Sequence, residues 1–159
     1  MKFNVDSFSI FNDVWAILTA GNKEDGYNAM TISWGGLGTL WSKPVATVYV
    51  KPIRYTHQFM EKSDYFTISF FSEEHRNALM LMGMKSGRDT DKVKEAGLTA
   101  VFLENSVMFK EAKTTLLCRK IYRQELDVSC MPEDVVKSFY TAEAAHTMYI
   151  GEVVDIIEG

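Results

Sequence analysis

The chain has 159 residues, 47% hydrophobic and 24% charged, with a formal net charge of −4. That is the make-up of a single domain, residues 1–159, with one sizeable core. The acidic balance excludes a general nucleic-acid surface, which needs a broad basic face, and no apolar run nears the roughly 18 residues that cross a bilayer.

The opening "MKFNVDSFSIFND" breaks its apolar residues with polar ones every second or third position. It lacks the apolar stretch of a signal peptide, so a cytoplasmic location is expected. Residues 14–21 ("VWAILTAG") and 29–34 ("AMTISW") read as a strand pair across the polar turn "GNKEDGYN". Residues 45–50 ("VATVYV") follow Pro44 and are β-branched, hence a strand. Residues 54–63 ("RYTHQFMEKS") space Tyr55 and Phe59 about one helical turn apart, and residues 65–71 ("YFTISFF") alternate as a strand. A helix is predicted from Ser72, a cap candidate, through Met84, with acidic residues in its first turn and methionines as core filling. A short helix follows in "DKVKEAG", capped by Asp89 or Thr90 and closed by Gly97. Residues 114–126 and 146–158 read as long strands, the second with a bulge or bend at Gly151. Between them "PEDVVKSFYTAEA" starts a helix at Pro132.

Strands dominate and do not alternate regularly with helices. An antiparallel sheet closed into a barrel is therefore expected, rather than a doubly wound parallel sheet. Cys118 and Cys130 lack metal or redox spacing and read as small hydrophobes.

The common chemical motifs are absent: no Gly-rich dinucleotide or P-loop fingerprint, no His-Glu-x-x-His, no nucleophile elbow. His57, His75 and His146 are too scattered to suggest a metal site. Three polar clusters interrupt apolar sequence: Asn28, Thr31, Ser33 and Trp34; then Lys51, Arg54, Thr56 and His57; then Ser86, Gly87, Arg88, Asp89 and Lys92. The last two combine hydroxyls, cations and a following helix start, which is what a phosphate monoester requires. Arg54 supplies a fork for phosphate oxygens and Lys92 a point charge. Each cluster has an ordinary reading as well: Thr31 and Ser33 as the polar face of a strand, Arg54 and Lys92 as solvated charges, Trp34 as core.

Taken together, "YNAMTISWGGLGTLWSKPVATVYVKPIRYTHQFMEKSDYFTISFF" (residues 27–71), "SGRDTDKVKEAGLT" and "HTMYIGEVVDI" resemble the flavin reductase-like, FMN-binding split-barrel family, in its flavoredoxin-like subgroup. The resemblance implies a mainly β fold with a few helices: a six-stranded Greek-key split β-barrel. It implies a homodimer, with FMN in a groove near the subunit boundary. Asn28, Thr31, Ser33 and Trp34 would then line the isoalloxazine and ribityl chain, with backbone N–H groups from Ile32 to Trp34 at the ring edge. Arg54, Thr56, Ser86 and Lys92 would hold the phosphate, the Ser86–Gly87 pair turning its amides inward. His146 matches a family histidine near the flavin and is the candidate catalytic residue. This chain departs from many relatives in having Ser69 where they have Asn, and in ending soon after its closing strand, where longer relatives have residues that can cover the cofactor.

The function implied is an FMN oxidoreductase passing electrons from NADH or NADPH through flavin to an acceptor. The alternatives are an electron-transfer module reduced by a redox protein partner, or a non-catalytic binder of flavin or another planar ligand. No nucleic acid or membrane partner is expected.

Overall fold

Nine strands organise residues 1–159 in the computed structural model. They are β1 (Ala16–Asn22), β2 (Gly26–Ile32), β3 (Gly35–Leu40), β4 (Lys43–Val50), β5 (Tyr65–Phe70), β6 (Ala100–Phe102), β7 (Val107–Phe109), β8 (Thr114–Glu125) and β9 (Thr147–Glu158). Four helices join them: α1 (Tyr55–Lys62), α2 (Arg76–Met84), α3 (Lys92–Glu95) and α4 (Glu133–Phe139). Seven strands form one antiparallel sheet in the order β2-β1-β5-β8-β9-β4-β3, and β6 and β7 form a separate ribbon. No helix is long and apolar enough to cross a membrane.

The two edge strands, β2 and β3, share no ladder, yet only Ser33 and Trp34 separate them in the chain. The sheet therefore curls until its edges meet at that junction, and the missing ladder is the split in the barrel. Alternation along the strands fills the interior. Ala16, Leu18 and Ala20 from β1, Phe66, Ile68 and Phe70 from β5, and Ala46, Val48 and Val50 from β4 fall in one buried cluster with Met30 and Ile32 of β2. Leu37 of β3 packs on the same cluster, so both ends of the sheet share one core. Each fully buried aliphatic or aromatic side chain there contributes about 1.5–3 kcal/mol.

A second cluster lies on the outer face of β1 and β2. Ile17 and Ala29 meet Leu79 and Met82 of α2, with Phe71, Leu98 and Phe109. This packing fixes α2 beside β2. At Gly151 a Cβ would stand 2.5 Å from the Phe66 ring and 2.8 Å from the Cys118 Cβ. Gly151 is thus glycine to admit Phe66, while the local register shift is carried by β8 opposite it, between Lys120 and Tyr122.

The sheet differs from expectation in having seven strands instead of six. The unforeseen strand is β3, "GGLGTL", whose glycines hide any alternation. It returns to β4 through Trp41 (φ 52) and Ser42 (φ 58), a two-residue turn with both residues left-handed but neither a glycine. The first strand pair sits one to three residues from its predicted bounds, β2 running Gly26–Ile32 rather than 29–34. The helix predicted from Ser72 begins as a 3₁₀ turn, Glu73–His75, before α2. The cap of α3 is Asp91, whose carboxylate accepts from the Lys94 N–H at 3.2 Å, not Asp89 or Thr90. The helix from Pro132 stops at Phe139, leaving residues 140–146 as a loop before β9.

Candidate functional site

Three concavities adjoin along one side of the barrel. The first, about 260 Å³, is bordered by Asn28, Arg54, Thr56, Ser86, Arg88 and Lys92. It shares Ile53 and Arg54 with a second of about 370 Å³, bordered by Thr31, Ile32, Ser33, Trp34, Lys51 and His146. That one shares Ser33, Trp34, Tyr49 and His146 with a third of about 510 Å³. A larger concavity, about 750 Å³, lies elsewhere, near Gly21 and Asp64, and Lys62 is its only basic lining residue.

The first section is built at the start of α1 and the end of α2. Arg54 precedes α1 in extended conformation (φ −72, ψ 136), and no side chain caps the helix. The Tyr55 and Thr56 amides find no backbone acceptor, as first-turn donors do not. Behind them Asn28, buried, donates from Nδ2 to Thr56 Oγ1 at 2.8 Å. Gly87 presses against this pair from outside the lining: a Cβ there would stand 2.1 Å from Asn28 Oδ1.

At the far end of α2 the carbonyls are taken by groups of the same section. The Lys92 ammonium, 3% exposed, donates to Met82 O at 2.9 Å and Lys85 O at 3.0 Å. Arg54 Nη2 donates to Gly83 O at 3.2 Å, while from the second section the Thr31 hydroxyl donates to Leu79 O, midway along α2. A helix C-terminus favours cations, so the arrangement is locally satisfied. It still places Arg54, Arg88 and Lys92 together with no carboxylate in the lining. Burial, and then the nearby Arg54, push the Lys92 ammonium down to about 8. Burial also lowers Arg54, with Glu143 opposing. Cations held below their ordinary values chiefly by desolvation would be restored by an anion placed among them.

In the second section Ser33 and Trp34 turn the chain from β2 into β3. Neither amide has a backbone acceptor, so two N–H groups stay unspent at the split of the barrel. His146 stands opposite, just before β9. Its carbonyl accepts from the Leu126 N–H at 3.0 Å, its Nδ1 lies 2.7 Å from the Tyr140 hydroxyl, and its ring is 5.4 Å from that of Trp34. Burial, then Lys51, lower the imidazole below its usual value, with Glu143 opposing. The neutral ring is therefore favoured near pH 7. Lys51 itself pairs with Glu143 at 2.7 Å.

The family model described as flavin reductase like domain matches residues 8–159. The chain belongs to the flavin reductase-like family. Its fold is that of an FMN-binding protein from Thermus thermophilus solved with 1-cyclohex-2-enone (TM-score 0.72, 17% identity, 99% of this chain and 80% of that one). The flavoredoxin of Desulfovibrio vulgaris (Miyazaki F) matches with TM-score 0.71 at 22% identity, over 100% of this chain and 77% of that one. The NADH:FAD oxidoreductase SgcE6 of Streptomyces globisporus matches with TM-score 0.68 at 18% identity, over 91% and 75%. No curated protein sequence gives a significant match.

Within this family fold, the residues singled out from sequence converge. Asn28, Thr56, Ser86 and Lys92 border one section, Thr31, Ile32, Ser33, Trp34 and His146 the next, and Arg54 joins the two. Two expectations change in detail. Lys92 commits two of its three protons to carbonyls, so it braces α2 and leaves one proton for a ligand. Ser69 is buried on β5 and hydrogen-bonds with Thr115 at 2.9 Å, away from the trough. Arg88 was visible in its cluster but not distinguished as lining. Tyr140 and Glu143 carried no signal at all, because both fell inside the predicted helix from Pro132.

Proposed function

We propose that the trough binds FMN and that the protein passes electrons from a reduced nicotinamide through the flavin to an acceptor. The observation that carries this reading is the continuity of the anion-seeking section with the ring-sized section through Arg54. The donor set fits a phosphorylated flavin: a guanidinium, two free helix-start amides, the Ser86 hydroxyl and a remaining Lys92 proton suit a phosphate dianion. The two unspent amides at Ser33 and Trp34 suit the carbonyl edge of a planar ring.

When bound, FMN would supply hydride acceptance and onward electron transfer. The chain's own work is to bind and orient. Arg54 and the α1 amides anchor the charged end. The junction of β2 and β3 offers N–H donors to any oxygen that gains negative charge. Trp34 and Tyr49 wall the section. His146, neutral and steered by Tyr140, holds a proton at the rim where an acceptor would approach. Ile53, Met80 and Met84 stand exposed beside the trough, apolar surface that a second copy in a homodimer would cover.

Two measurements test the reading. The purified protein is expected to be yellow, or to turn yellow and quench flavin fluorescence when FMN is added. Anaerobic mixing of the FMN-loaded protein with NADH or NADPH is expected to bleach the flavin band. A protein that takes up no FMN refutes the cofactor assignment. Prompt bleaching by a reduced ferredoxin-like carrier, with none by either nicotinamide, refutes the donor assignment and makes the protein an electron carrier.

A further inference from the structure

The third section of the trough has a different character from the other two. Its lining contains no Lys, Arg, Asp or Glu, and it is walled mainly by Phe8, Phe11, Trp34, Tyr49, Tyr140 and Met148. Its volume of about 510 Å³ falls in the range of small-ligand sites. The wall is firm on one side: Phe11 is 3% exposed, and a Cβ at Gly35 would stand 2.7 Å from its ring. His146 stands on the partition with the ring section, beside the unspent Ser33 and Trp34 amides. Its Nε2 makes no hydrogen bond while Nδ1 faces the Tyr140 hydroxyl. A phenol is a better donor than acceptor, and Tyr140 has no other acceptor. Its O–H therefore donates to Nδ1, and the remaining ring proton sits on Nε2 as an unspent donor.

We infer that this aromatic chamber is a binding subsite for a small uncharged aromatic carbonyl compound, a quinone or aryl aldehyde, whose oxygen accepts from His146 Nε2–H. Aromatic walls favour a flat apolar ring. A free donor on the partition, half-buried at His146 and close to the unspent Ser33 and Trp34 amides, favours a ligand with an acceptor atom at its edge over an all-carbon ring. The chamber's lack of cations argues against a dinucleotide, whose pyrophosphate needs charge-assisted donors. The cations of the trough are gathered in its other two sections, from Lys51 to Arg54, Arg88 and Lys92. The inference deepens the reading above by naming the class of electron acceptor, yet as a statement about binding it holds whether or not flavin occupies the trough.

The test uses the full chain and tetramethyl-1,4-benzoquinone, whose substituted ring carbons resist addition of the exposed Cys130 thiol. Trp34 lies in the wall, so saturable quenching of tryptophan fluorescence is expected, in the protein alone and again after FMN is added. Leu126 borders this chamber and neither of the other two. Leu126→Trp fills the space and is expected to abolish saturable quenching while FMN titrates as in wild type. His146→Phe, which keeps a ring but removes the donor, is expected to weaken quinone binding about fivefold, the value of one neutral hydrogen bond. Quenching that is linear in quinone, or saturable but untouched by both variants, overturns the inference. Displacement of the quinone by nicotinamide mononucleotide also overturns it, since the chamber would then belong to the donor. If quinone binding responds to the variants as expected but FMN does not bind, the chamber stands and the flavin reading alone falls.

Discussion

Gly87→Ala probes how tightly the anion section is built. The added methyl would stand 2.1 Å from Asn28 Oδ1 and 3.2 Å from the Tyr55 ring. Asn28 is buried, and its amide donates to the buried Thr56 hydroxyl at 2.8 Å, so it can yield only by giving up that bond. Losing a buried hydrogen bond and stranding its partners costs about 1–3 kcal/mol. For a chain of this size that is a fall in Tm of roughly 2–12 °C at about 2–4 °C per kcal/mol. Thermal unfolding by circular dichroism measures it, and a double-mutant cycle isolates the cause. Asn28→Ala pays its own cost by losing the bond to Thr56, but in that background Gly87→Ala is expected to add less than about 0.5 kcal/mol, because the clash is gone. Additive losses in the double variant refute the reasoning: Gly87 would then matter for its backbone alone and not for its approach to Asn28.

Three further outcomes follow from the electrostatics. Lys92 is lowered in the folded chain from its ordinary 10.5 to about 8, so between those values the unfolded chain binds more protons and stability rises with pH. Wild type is therefore expected to gain stability relative to Lys92→Met between pH 8 and 10.5, by up to roughly 3 kcal/mol; a flat difference across that window removes the buried ammonium from the account. An anion beside Arg54 would restore the Lys92 proton, so FMN affinity is expected to be nearly constant between about pH 7 and 7.5, where the phosphate is a dianion, and to weaken above about 8, which titrations at pH 7 and 9.5 would detect. Lys51→Ala removes a cation that holds the His146 imidazole down and frees Glu143 to act on it. The imidazole, followed by NMR, is expected to titrate at higher pH in that variant, and an unchanged titration would contradict the placement of the Lys51–Glu143 pair.

Much of the fold could be read from residue patterns, and the parts that could not have physical reasons. β4, β5, β8 and β9 are rich in β-branched or alternating residues, and their bounds came within about two residues. β3 stayed hidden because "GGLGTL" shows neither alternation nor β-branched density. It exists because β4 offers it a partner, which is a tertiary cause. The ribbon of β6 and β7, three residues per strand, is too short to show a period. At the site, Arg54, Thr56, Ser86 and Lys92 were legible because cations and hydroxyls clustered at the ends of predicted elements, where loops carry binding groups. What pattern could not supply was where each proton goes. Only the packing of α3 against the end of α2 shows that Lys92 is spent largely on Met82 and Lys85, and only the loop before β9 shows Tyr140 at His146.

The phosphate group is the feature on which the flavin reading rests, and comparing FMN with riboflavin isolates it. The two ligands share the ring and ribityl chain and differ only in the anion. Two charge-assisted hydrogen bonds from Arg54 and its neighbours, even at about 1.5 kcal/mol each, predict that wild type binds FMN about 100-fold more tightly than riboflavin. Arg54→Ala is expected to bring that ratio below about tenfold by weakening FMN alone. Equal affinities of the wild-type chain for FMN and riboflavin would contradict the account, for they would mean that Arg54, Arg88 and Lys92 meet no phosphate there.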